Sequence, residues 1–133
     1  MKLIGSKIHK INAEINTDFN GKLELNTNIN IKSIEKFKPE NSKIESLKVK
    51  SVFEIKYGDL GKIEIEGQLF ISANNKEMED VIKNYKSKDF NTPEQIAIMN
   101  LIIQRFSIKA FELEEELGLP IHIRLPTLKT KEE

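Results

Sequence analysis

The chain has 133 residues, a length that fits one domain with a core of its own and leaves no room for a second. Its 21 Lys and Arg balance its 21 Asp and Glu, so no bulk field draws it to nucleic acid or to an anionic membrane. It has no cysteine, hence no disulfide framework, thiol nucleophile or thiolate metal site, and neither a signal-peptide core nor a membrane-spanning segment, so it reads as a soluble cytoplasmic protein.

In the first strand Ile11, Ala13 and Ile15 share a face, whereas Ile4 and Ile8 have the opposite parity, which predicts a bulge near His9 and Lys10. KLELNTNINIK, residues 22–32, alternates strictly, with Leu23, Leu25, Thr27, Ile29 and Ile31 on one side and polar residues on the other. LKVKSVFEIKY repeats the pattern with Leu47, Val49, Phe53, Ile55 and Tyr57, and KIEIEGQLFIS with Ile63, Ile65, Leu69 and Ile71. Parity predicts that the first two strands form a hairpin through Phe19-Asn20-Gly21, with Gly21 left-handed. Strands three and four meet through the Gly58 to Gly61 turn, which sets Phe53 opposite Gly67 and Lys56 opposite Glu64. Residues 33–46, between strands two and three, are too many for a hairpin and are expected to cross the sheet in Greek-key fashion.

Asn75 can cap a short helix carrying Met78, Val81, Ile82 and Tyr85 at helical spacing. A long helix then starts at Thr92, with Pro93 in its first turn and Gln95 completing a capping box, and ends at Gly118 before Pro120. The pattern predicts an α+β domain over residues 1–128: a four-stranded antiparallel sheet with a Greek-key-like crossover and two helices on one face. Residues 129–133 are expected to fray.

The long helix has more apolar residues than one side can hold. Ile96, Met99, Ile103, Phe106, Ala110, Leu113 and Leu117 follow a three-four spacing and are expected to lie on the sheet. At about 100° per residue, Ala97, Leu101 and Ile108 fall nearly opposite, with Ile98 beside them. Burying Ile98, Leu101 and Ile108 would be worth about 5–9 kcal/mol per chain. Either a second copy of the helix covers this patch, making a homo-oligomer, or the C-terminal segment does, through Ile121, Ile123 and Leu125.

No catalytic signature appears. His9 and His122 stand far apart and outside any metal-ligand spacing, the carboxylates Glu14, Glu24, Glu54, Glu64 and Glu66 belong to the wet sheet face, and the glycines serve turns. Lys48, Lys50 and Lys56 line one strand but face acids on the next, without an aromatic row for bases to stack on. No catalytic residue, metal or cofactor is therefore expected. Apolar residues outside the regular core positions remain: Ile34, Phe37 and Ile44 in the crossing loop, Val52 and Phe70 on the polar sheet face, and Leu119, Ile121, Ile123 and Leu125 in the proline-broken tail. Singly, each fits a satellite core; together they can line a groove for an extended apolar peptide.

The order of elements resembles the SecB family of export chaperones. The resemblance lies in four antiparallel strands, a long connection carrying Phe37 beside Pro39, the run IEIEGQLFISANN into a short helix, TPEQIAIMNLIIQRF opening a long one, and the exit LGLPIHIRLPTL. It implies an ATP-independent holdase that binds unfolded polypeptides in apolar grooves, assembled as a dimer of dimers with the long helices between two sheets. By the same resemblance Phe37 stands for the aromatic of the crossover loop, and Leu119 with Ile121 for the apolar segment after the long helix. The neutral charge and the short end after Pro126 depart from the family, and export and toxin-antitoxin roles are both compatible with the rest. The alternative is a small oligomeric adaptor or assembly protein that holds no clients.

Overall fold

The computed structural model describes residues 1–40 and 43–124. Leu125 and the stretch expected to fray, 129–133, lie outside these. Four strands, β1 (Lys2–Ile15), β2 (Leu25–Phe37), β3 (Ser46–Tyr57) and β4 (Gly61–Ser72), precede two helices, α1 (Asn75–Lys86) and α2 (Pro93–Leu117). The fold is α+β: one antiparallel sheet in the order β1-β4-β3-β2, with both helices on one face.

Strand order follows from how dry each strand is. Leu47, Val49, Phe53, Ile55 and Tyr57 of β3, and Ile63, Ile65, Leu69 and Ile71 of β4, are all fully buried on the inner face, so these two strands take the centre. The wetter β1 and the Asn-rich β2 take the edges, where polar residues suit a strand with one open side. The expected β1–β2 hairpin through Phe19-Asn20-Gly21 is therefore not formed, since β1 pairs with β4 and β2 with β3. Residues 16–24 instead cross the end of the sheet under the β3–β4 turn. There the Asn16 amide donates to Leu60 O at 2.6 Å and the Asp59 amide to Lys22 O at 3.3 Å. Gly58, at φ 61, is required at this crossing: a Cβ would come within 2.3 Å of Lys22 O. The Greek-key crossing thus lies here, whereas much of residues 33–46 simply continues β2 past a bulge between Ile31 and Ser33 and joins neighbouring strands.

The bulge expected in β1 is present, between Ile8 and Lys10, with a second between Leu3 and Gly5. Between β3 and β4 the Leu60 amide bonds Tyr57 O at 3.1 Å, tightening the reversal, so Phe53 faces Ile65, Ser51 faces Gly67 and Lys56 faces Lys62. The register differs by two residues from the one expected, and a shift of two leaves every side chain on its face. Gly67 is covered by Phe106 of α2 rather than by Phe53: a Cβ there would stand 3.0 Å from the Phe106 ring and 2.4 Å from Lys7 O of β1.

Helix α1 is capped by Asn74, one residue earlier than expected, in a full capping box with Glu77. Helix α2 has the expected ends, Thr92 accepting the Gln95 amide and Gly118 left-handed at φ 74. The Gln95 side chain does not close a box; its Nε2 donates to Val81 O at 2.9 Å and ties the two helices together.

The roll of α2 differs from the three-four stripe. The buried row is Ile98, Ile102, Phe106, Ala110 and Glu114, one residue every four, which turns the buried face by about 40° at each step. The sheet beneath is twisted, and an inclined row follows it where a row parallel to the axis would lift away. As a result Ile96 and Ile103, expected in the core, are 48% and 38% exposed, while Ile98, expected on the outward side, is fully buried.

Candidate binding surface

Two helices cannot roof a four-stranded sheet to its edges, and apolar residues are left open along both. On the β1 side, Ile8 and Ile11 belong to the inner face but stand 40% and 42% exposed. Ile108 of α2 stands beside Ile8, 58% exposed, in a shallow cleft of about 310 Å³ that Ser6, Arg105, Lys109 and Glu112 also line. Arg105 Nε donates to Ser6 Oγ at 2.7 Å and fixes the helix to the edge strand there. On the β2 side, Ile29, Ile31, Met99 and the 40% exposed Phe90 surround a cleft of about 230 Å³. Met99 brings this cleft to the α2 flank that also carries the exposed Ile96 and Ile103.

The outer face of the sheet is mostly polar, with an aromatic corner. Phe37 and Phe70 meet there with ring centroids 5.2 Å apart, and the Lys48 ammonium stands 5.5 Å from the Phe37 centroid and 3.0 Å from Glu35. The hydrogen bond from Lys48, then its charge, hold the Glu35 carboxyl below its ordinary range. Val52 is on the same face, part-buried, in a separate polar concavity with Asn28, Lys32 and Glu64.

The residues expected to line a peptide groove are thus divided by the sheet. Phe37, Phe70 and Val52 are on the outer face. Ile34 points the other way and is 6% exposed in the core, because the β2 bulge resets its parity, so it cannot line a surface groove. Ile44, in the β2–β3 link, is 73% exposed. Leu119 is buried, and Ile121 and Ile123 are exposed. Among the expected interface residues, Ile98 is covered by its own sheet, Ala97 and Leu101 are part-buried, and Ile108 is the most open. Among the described residues, the segment 119–124 does not cover Ile108. It turns back on the side of Glu114 and reaches Phe53 of β3, whereas Ile108 stands over β1.

That turn is held by a polar cluster that no sequence motif marked. Glu114 is fully buried and accepts a hydrogen bond from the Tyr57 hydroxyl. The same carboxylate oxygen accepts the His122 amide at 3.0 Å, and the other lies 2.7 Å from His122 Nδ1. Burial, then the hydrogen bond to Glu114 and its charge, push the Tyr57 phenol well above its ordinary range. Glu114 sits one step past Ala110 in the four-residue buried row, and that spacing was the available signal.

No family model and no curated protein matches the chain. Among solved structures it is similar to the Mycobacterium tuberculosis Rv1957 SecB-like chaperone in complex with a ChAD peptide from the Rv1956 HigA1 antitoxin. The two are 14% identical, over 97% of this chain and 91% of that one, with a TM-score of 0.45.

Proposed function

We propose that the chain holds apolar segments of unfolded polypeptides, without chemistry, as a subunit of a homo-oligomer. The observation that carries the proposal is the apolar surface left open on both flanks of α2, on elements otherwise well capped and packed. Phe90, Ile96 and Ile103, each exposed by 38–48%, have about 2–4 kcal/mol of transfer free energy left to gain in all. A millimolar complex already requires about 4 kcal/mol. One flank therefore holds a client weakly, and several copies acting together, a dimer or a dimer of dimers, raise the hold by avidity. Leu101 and Ile108 are the residues proposed to meet the sister chain. The Phe37–Phe70 corner is proposed to extend the client surface. A shallow cleft lined by Ile29, Ile31, Phe90 and Met99 selects for apolar character rather than for one sequence, as a holdase needs.

The test is suppression of the aggregation of a heat-unfolded model protein in the absence of nucleotide. Light scattering is expected to fall as this chain approaches stoichiometric amounts. No change at tenfold excess, with the chain still folded by circular dichroism, would leave the oligomeric adaptor as the better account.

A further inference from the structure

We propose that Glu114, Tyr57 and Phe53 form a receiving site for an apolar segment, and that residues 119–124 of the same chain are its resident occupant, a strap that a client must displace. This rests on the client-holding function proposed above.

The strap is anchored by polar groups and held little by apolar ones. Leu119 alone among its isoleucines and leucine is buried, at 5% exposure, while Ile121 and Ile123 stand 42% and 37% exposed. Its polar insertion is His122, with a side chain 5% exposed, which meets Glu114 through both its backbone amide and Nδ1 and lies edge-on to Phe53 with centroids 6.1 Å apart. A buried polar anchor comes free more readily than an apolar one, because Glu114 and His122 recover water when they part. Among the described residues, His122 Nε2 has no hydrogen-bond partner in the docked state. Gly118 is left-handed at φ 74, with no atom within 4 Å of where a Cβ would project, and is the turn by which the segment leaves α2.

The strap's chemistry names its competitor. It is a Leu-Pro-Ile-His-Ile run, bent at His122 and Ile123, whose donors reach one buried carboxylate between apolar walls. The foreign segment that fits the vacated site is likewise apolar, with one donating side chain placed to meet Glu114. A strap of this kind keeps the site from idle occupation and makes client affinity depend on the fraction of open molecules.

The natural chain has no cysteine, so Leu119→Cys gives a single thiol whose modification rate reports strap opening. Hydrogen exchange over residues 119–124 reports the same event without a substitution. The client is a permanently reduced and alkylated unfolded protein, titrated against the natural chain and His122→Ala. Both readouts are expected to quicken when client is added, and His122→Ala is expected to open the strap and tighten client binding by up to about tenfold. Client binding that leaves strap protection unchanged, with equal affinity for His122→Ala, would overturn the strap while leaving the holdase intact. No client binding by either protein, with the strap opening in His122→Ala as expected, would overturn the holdase itself and with it the strap's regulatory role.

Discussion

Ile98 and Ile108 fall near one another on the outward side of α2 by simple helical counting, yet the structure buries the first completely and leaves the second 58% exposed. Truncating each to alanine separates the two arrangements. At Ile98 the substitution removes methylenes packed among core residues, which costs about 2–5 kcal/mol with the cavity included. At Ile108 less than half of the side chain is covered, and a change at a mostly open position costs about 0.5 kcal/mol or less within one chain. At about 4 °C per kcal/mol for a chain of this size, Ile98→Ala should lower the melting temperature by about 10 °C or more and Ile108→Ala by about 2 °C. The assay is thermal unfolding followed by circular dichroism, run at high dilution so that association does not add to the Ile108 value. Raising the protein concentration should then reveal a second loss for Ile108→Ala alone, since that residue is proposed to meet a sister chain. Equal costs at high dilution would refute the roll of α2 described here and restore the three-four stripe.

Gly67→Ala should destabilise by about 1–3 kcal/mol through overpacking against Lys7 O and the Phe106 ring, and should speed hydrogen exchange in β1; a stability within error of the natural chain would refute that packing. The Tyr57 phenol is raised above its ordinary value of 10.0, so its contribution to stability is complete below that value and is lost as pH rises beyond it, when the unfolded chain ionises and the folded one does not. Thermal melts between about pH 9 and pH 11 should therefore fall more steeply for the natural chain than for Tyr57→Phe; parallel curves would contradict the burial of that hydroxyl. At neutral pH the same variant should lose about 1–3 kcal/mol, because Glu114 forfeits a donor. Phe37→Ala should weaken client binding severalfold without changing the solution mass, and unaltered affinity would remove the Phe37–Phe70 corner from the client surface.

Some of this architecture is written locally in the chain and some is not. Strict alternation in β2, β3 and β4 was enough to assign each side chain to a face, and that assignment survived a register differing by two residues because the strand period is two. The β3–β4 pairing was legible from the Gly58 to Gly61 turn, but the partners of β1 and β2 were not. All four carry similar patterns, and the preference for sequence neighbours pointed to a β1–β2 hairpin where burial demanded that β4 lie inside. The ends of α2 were legible because caps are local chemistry: Thr92, Pro93 and Gly118 mark them without reference to the rest of the fold. Its roll was not, since apolar residues occur around much of its circumference and the twist of the sheet selects the inclined row that includes Ile98 and Glu114. The cluster of Tyr57, Glu114 and His122 was hidden for the same reason. A glutamate in an acidic last turn reads as solvated until the row that buries it is known.

The most direct measurement is equilibrium binding of one labelled protein in two states, native and permanently unfolded, followed by fluorescence anisotropy without nucleotide. The unfolded form should bind saturably, the native form should not, and Ile108→Asp should weaken the binding as it lowers the solution mass. Equal binding of both forms, or of neither, would contradict a surface built to hold exposed apolar chain.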